Sequence, residues 1–133
     1  MIRYLLDANV MIALLTGRHY PLEEKIRAQE ADTIAVSSIV AFELYFGAFG
    51  SARLDRNLAA IDNARFASVP FDASDARRAG AVRADLKARG TPIGPFDILI
   101  AGQALARNLT LVTNNVREFR RVPNLKVENW LND

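Results

Sequence analysis

Four acidic residues stand where an acid needs a reason: Asp7, Glu43, Asp97 and Glu118. Asp97 lies near the head of "PIGPFDILIAGQALA", a run that is otherwise apolar except for Gln103. An ionised carboxylate buried without a partner is expensive, so a helix terminus, a cationic side chain or a metal must compensate. Ile100, Ala101, Ala104 and Leu105 follow Asp97 at the spacing of a core-facing helical stripe. The helix dipole favours a first-turn acid by ~0.3–1 kcal/mol. That explains tolerance at a helix end, but not an inward direction.

Glu43 is the only charged residue between Asp32 and Arg53, and its neighbours Val40, Ala41, Phe42, Leu44, Tyr45 and Phe46 leave little polar surface around it. It is too far from Ser38 to complete a capping box, which needs a spacing of three. The competing explanation is a narrow solvent stripe shared with Gly47 and Gly50. Asp7 follows the apolar "IRYLL" and precedes a helical stretch, where an aspartate is an ordinary N-cap. Glu118, in "TNNVREF", has the weakest signal by itself and reads equally as a surface acid. Asn115 is an alternative neutral oxygen donor at that position, and Thr113 and Ser38 could supply hydroxyls.

The elements that must position these residues read as alternating strands and helices. Residues 2–6, 33–37, 66–71 and 109–113 read as strands, with a short fifth at 125–130. Helices fall between them. Residues 8–16 end at Gly17, and 22–31 carry a Glu23–Arg27 pair. A third helix runs from a Ser38 cap to Gly50, and a fourth covers 52–64. The next is capped by Asp72 or Ser74 and ended by Gly90, and the last has Pro95 at its first position. The expected fold is an α/β three-layer sandwich, with a central, mostly parallel sheet of four to five strands between helices. A single domain over 1–133 is expected. In such folds ligands bind beyond the carboxyl ends of the strands, and that rule brings all four acids to one rim. Two carboxylates ~5 Å apart repel by roughly 3 kcal/mol at an effective dielectric of ~20. A divalent cation is the simplest compensation, and it suits phosphodiester chemistry.

Composition narrows the chemistry. There is no cysteine, and His19 is the only histidine. A two-histidine acid–base ribonuclease and a Cys/His zinc site are thereby excluded; oxygen ligands favour Mg²⁺ or Mn²⁺. His19, within "TGRHYP", is expected to be a solvated loop residue. Half of the 133 residues are hydrophobic, enough for a core. No apolar run approaches the ~18 residues of a membrane span and no signal peptide is recognisable, so a cytoplasmic location is expected. The net charge of +2 is small, but the cations cluster. Arg77, Arg78, Arg83, Lys87 and Arg89 form one group; Arg117, Arg120 and Arg121 form another. Clusters beside acidic positions suit a nucleic-acid partner, with Arg83, Lys87 and Arg117 as the proposed phosphate contacts.

The chain resembles PIN-domain ribonucleases, specifically the VapC-type toxins of toxin–antitoxin pairs. The resemblance covers essentially its whole length. It rests on "YLLDANV", "SSIVAFELYFGA", "RGTPIGPFDILIAGQALARNLTLVTNN" and "VREFRRVPNLKVENW". It implies a Mg²⁺-dependent endoribonuclease (Mn²⁺ substituting) and a cognate VapB-type antitoxin. A homodimer, and a larger hetero-oligomer with the antitoxin, are further implications. Asp7 and Asp97 take metal-site roles, Glu43 a metal-site or water-activating role, and Glu118 the fourth acidic position, where some relatives carry aspartate at the place of Asn115. Threonine often follows the first aspartate in the family; here Ala8 does, which removes a hydroxyl but no carboxylate. Some relatives cut structured RNA such as tRNA. A catalytically silent RNA- or protein-binding module is the alternative. A phosphoacceptor signalling domain fits worse, because Asp7 is followed by Ala8 and not by a second acid.

Overall fold

The computed structural model describes residues 1–17 and 19–132. The chain order is β1 (Tyr4–Leu6), α1 (Ala8–Thr16), α2 (Tyr20–Arg27), a 3₁₀ turn (Ala31–Thr33), β2 (Ile34–Ser37), α3 (Ser38–Phe49), α4 (Leu54–Asp62) and β3 (Ala67–Val69). It continues with α5 (Ala73–Ala88), α6 (Pro95–Ala106), β4 (Thr110–Val112), α7 (Val116–Phe119) and β5 (Val127–Glu128). The strands form one sheet in the order β3-β2-β1-β4-β5, and every neighbouring pair is parallel. The expected sandwich is therefore present, with all strand pairs parallel.

The chain winds outward from β1 to β3, then returns to the other side of β1 as β4. The order reverses between β1 and β4, and the carboxyl ends of strands at such a reversal open a crevice. β1 is buried at all three positions, as expected of a central strand covered on both faces. Leu5, Leu6, Ile34, Leu111 and Val112 pack with Val10, Met11, Val40, Ile100 and Phe119 in the core.

The strands are shorter than the apolar runs suggest, because a helix cap takes over at once beyond β1 and β2. Asp7 caps α1. Ser37, rather than Ser38, caps α3: its Oγ accepts from Ile39 N–H at 3.0 Å, while the Ser38 hydroxyl accepts from Phe71 N–H at 3.1 Å. Asp72 caps α5 in a capping box with Asp75. Gly90 follows the helix in the left-handed conformation, with φ of 70°, which a residue without Cβ adopts freely. His19 lies in the loop before α2 as expected, but it is not simply solvated. It is half-buried and caps α2, its Nδ1 accepting from Leu22 N–H at 3.2 Å. The ring orders a helix start instead of floating in solvent.

Helix α6 carries Asp97 at one end and is fixed firmly at the other. Gly102 packs so closely on α5 that an added Cβ would lie 2.4 Å from Ala79 Cα. Near it, Asp75 is buried and receives Gln103 Nε2 at 3.1 Å and Arg107 Nη2 at 3.0 Å. Arg107 also donates to the Pro70 carbonyl at 3.0 Å. Burial alone would raise the Asp75 carboxyl, but the bonds from Arg107, the Asp72 backbone and Gln103 outweigh it and hold the carboxyl below its usual range. This polar clamp joins α5, α6 and the segment after β3.

Candidate active site

Asp7 leaves the sheet where β1 and β4 end side by side. Its N–H still donates to the Val112 carbonyl at 2.9 Å. One side-chain oxygen accepts from Ala8 N–H at 2.8 Å, and the other from the Thr113 hydroxyl at 2.7 Å. Thr113 is fully buried, and its Oγ1 in turn accepts from Asn115 N–H at 3.0 Å. That incoming bond leaves the hydroxyl proton free to point at Asp7. The cap reading of Asp7 holds, since one oxygen closes the start of α1, and the other is held by Thr113.

The other acids come to the same place from three different elements. Glu43 sits one turn inside α3 with its Oε1 buried and without a hydrogen-bond partner. Asp97 lies in the first turn of α6 on its inward stripe, where Ile100, Ala101 and Ala104 are buried. Glu118 projects from α7; one oxygen accepts from Gly94 N–H at 3.0 Å and the other accepts a short bond from Asn115 Nδ2. Asn115 and Glu118, read from the sequence as alternatives for one position, are bonded to each other. The link to the Gly94 backbone has no sequence signal, since glycine brings only its main chain to it. The Asp75–Arg107 clamp was also missed, although the spacing of Asp72 and Asp75 could have announced the capping box beneath it.

Among the described residues no cationic nitrogen lies within 4.0 Å of Asp7, Glu43, Asp97 or Glu118. The donors are all oxygens. Among those residues no three acidic or histidine side chains close into a dedicated metal cage. That combination suits a hard cation that keeps most of its own water and takes one or two carboxylates. The orphaned Glu43 oxygen fits a neighbouring bound water or cation, and the residues present fit such an ion.

The PIN domain family profile matches residues 4–125. The chain belongs to the PIN-domain family. It is 36% identical to the tRNA(fMet)-specific endonuclease VapC of Salmonella typhimurium, over 98% of this chain and 99% of that protein. It is 40% identical to Ribonuclease VapC2 of Haemophilus influenzae, over 98% and 100%. A solved DNA-bound VapBC from Salmonella typhimurium superposes with a TM-score of 0.93 at 36% identity, covering 98% of this chain and 99% of that one. The chain therefore groups with the VapC ribonucleases, and it is an endoribonuclease of that toxin type. PIN-domain nucleases are generally dependent on a divalent metal.

In this PIN domain the crowding of acids and their burial raise three of the carboxyls. Burial raises Asp97, and Asp7, Glu118 and Glu43 add to it, so that its carboxyl is pushed up to about 6. Burial raises Asp7 by more than the bonds from Thr113 and Ala8 lower it, with Glu118 adding to the rise. Glu43 is raised by burial and by Asp7. Each of the three holds a proton more readily folded than unfolded. Their contribution to stability is therefore full below the unfolded value near 3.8 for aspartate, and is lost as pH rises through the folded one. Asp75, with a lowered carboxyl, has the opposite sign, but it acts below 3.8. We predict that the melting temperature in EDTA rises as pH is lowered from 7 to about 4.5. Asp97→Asn should raise the value at pH 7 and flatten the slope. Identical slopes for the two proteins would make Asp97 an ordinary solvated acid.

Proposed function

We propose that this chain is a single PIN-like domain over residues 1–133 acting as a Mg²⁺-dependent endoribonuclease, with Mn²⁺ as a substitute ion, and that Asp7 and Asp97 hold the ion. The observation that carries the reading is the convergence of Asp7, Glu43, Asp97 and Glu118 beside the β1–β4 reversal with no cationic partner within 4.0 Å among the described residues. When bound, a divalent ion there polarises a phosphoryl oxygen and lowers the pKa of water. Asp7 is suited to anchor it, because Ala8 and Thr113 fix the carboxylate's direction before anything binds. Asp97 comes to the crevice from the opposite side on a clamped helix. Glu43 is placed to take the proton from the attacking water: it has an unpartnered oxygen, and its raised carboxyl makes it a stronger base near neutral pH.

RNA is the proposed substrate and tRNA the proposed class, the latter because the Salmonella relative is named for tRNA(fMet). Arg83 and Lys87 line a groove of about 650 Å³ with Ile93, Pro95 and Ile98. Pro95 and Ile98 belong to the same helix turn as Asp97, and the proposed RNA strand continues from this groove towards the acids. Arg117 is exposed on α7 beside Glu118. The proposed partner is a VapB-type antitoxin, with the chain a homodimer within a larger complex; solved relatives are VapBC assemblies. A second groove of about 440 Å³ between α1, α3 and α4 includes Glu43, with Ile12, Leu44 and Ile61 and the cations Arg53 and Arg56 also in its lining. A partner segment laid there ends at the acids, where a basic side chain would offset their charge. No helix among the described residues is long and apolar enough to cross a membrane, and the proposed site of action is the cytoplasm.

Purified protein free of antitoxin should cleave RNA with Mg²⁺ or Mn²⁺ and stop in EDTA, and Asp97→Asn should lower cleavage by at least ~10²-fold. Full activity in EDTA would sink the metal mechanism and favour a different nuclease chemistry. Replacing Arg83, Lys87 and Arg117 by alanine should reduce the slope of log affinity against log salt by about 2 in an RNA titration. An unchanged slope assigns them to the solvated surface. In a structure of the antitoxin complex a basic partner side chain should lie beside Asp7 and Asp97; a partner tail remote from both refutes the proposed mode of inhibition.

A further inference from the structure

Helix α6 bears Asp97, yet its start has no side-chain cap. Gly94 occupies the N-cap position and Pro95 follows. The four residues before α6 belong to no strand or helix. The clamp on α6 lies at its far end, so the link before Asp97 depends on contacts made elsewhere. Two bonds from the region of α7 do reach this link. Gly94 N–H donates to Glu118 Oε1 at 3.0 Å, and Arg121 Nη1 donates to the Pro92 carbonyl at 2.9 Å.

We propose that Glu118 is a positioning residue that ties the start of α6 to the strand ends carrying Asp7, and that it serves the reaction through Asp97. The proposal rests on the ribonuclease reading above. Its path is continuous. The Thr113 hydroxyl donates to Asp7, Asn115 N–H donates to Thr113, Asn115 Nδ2 donates to Glu118, and Glu118 accepts from Gly94. Gly94 is the right backbone to hold. A Cβ placed on it would lie 3.1 Å from Asp97 Oδ2, so Gly94 packs against the very carboxylate whose position matters. Both oxygens of Glu118 accept from donors, as those of Asp7 do, but the donors of Glu118 are Gly94 and Asn115, so its bonds join the start of α6 to the segment after β4. Glu43 is the contrast, with a buried oxygen that nothing engages. Two acids of the same type at one rim carry different work, and their hydrogen bonds distinguish them.

The test compares Glu118→Gln, Glu118→Ala and Asn115→Ala by two readouts. One is amide hydrogen exchange at Gly94 in the metal-free protein, followed by NMR; the other is kcat and KM for RNA cleavage with Mg²⁺. Glutamine keeps an acceptor for Gly94 N–H, and Asn115 can turn its amide to meet the new NH₂. Glu118→Gln should therefore keep Gly94 protected and retain kcat within about threefold of the parent. Glu118→Ala should expose Gly94 N–H and lower kcat on the order of 10²-fold with KM little changed, the cost of a misplaced group. Asn115→Ala removes no acid, yet it should speed Gly94 exchange and lower kcat. The proposal is overturned if Glu118→Gln loses cleavage as fully as Asp97→Asn while Gly94 stays protected. It is equally overturned if Glu118→Ala leaves Gly94 exchange unchanged. Should Glu118→Ala not fold, Asn115→Ala decides, and parent-like exchange and kcat in it overturn the tether. If the parent protein cleaves no RNA, the ribonuclease reading fails by itself, and Gly94 exchange still decides whether the tether exists.

Discussion

The parallel pairing of β1 with β4 sets Leu6 beside Val112, so that Asp7 and Thr113 leave the sheet together. Each is still held by the ladder: Asp7 N–H donates to the Val112 carbonyl, and Thr113 N–H to the Glu128 carbonyl at 3.0 Å. Their side chains therefore emerge in fixed directions and meet. A slip of one residue would draw the Asp7 carboxylate into the buried ladder or push Leu6 out of it. Leu5, Leu6, Leu111 and Val112 are fully buried and oppose that slip. The core thus specifies the site before any polar contact is made, and the three other acids are arranged around a point that β1 and β4 define.

Two groups of acids in this chain have opposite electrostatic fates. Asp75 is nearly inaccessible, yet Arg107 and Gln103 satisfy it, and its carboxyl falls below the usual range. Asp97 is less buried but faces other acids, and its carboxyl rises. Burial is common to both, so the neighbours decide. The first arrangement locks α6 against α5, as a fully satisfied polar network does. The second leaves charge uncompensated in the folded protein. Such a cluster is retained against its cost only where another positive partner completes it. The clamp at one end of α6 and the unbalanced charge at the other are linked through one rigid helix.

Alternation of strands and helices was readable from residue pattern alone, and so was the convergence of Asp7, Glu43, Asp97 and Glu118 on one rim. Both follow from periodicity and from the rule that parallel strands end together. The inward direction of Asp97 was readable too, because Ile100, Ala101 and Ala104 mark the buried stripe. Other features were hidden for identifiable reasons. Ser37 and Ser38 are adjacent hydroxyls, and which one caps depends on where the strand stops. A capping histidine looks like any loop histidine until its ring meets Leu22 N–H. Helix α7 has four residues, too few for a periodic signal. The bond from Gly94 to Glu118 joins a main-chain group to a residue 24 positions away, and a backbone donor leaves no trace in the choice of side chain.

The contact between Thr113 and Asp7 spans 106 positions. It has a consequence in time as well as in space. The chain is made from its amino end, so β1, β2 and β3 emerge long before β4. A nascent chain that ends at α5 has Asp7 and Glu43, but neither Thr113 to orient Asp7 nor Asp97 to face it. Long-range contacts of this kind form late and slowly. A ribosome translating this message therefore holds a chain without Asp97 and Glu118 for most of the synthesis. The four acids stand together only once α6, β4 and α7 have been made, in the last third of the chain.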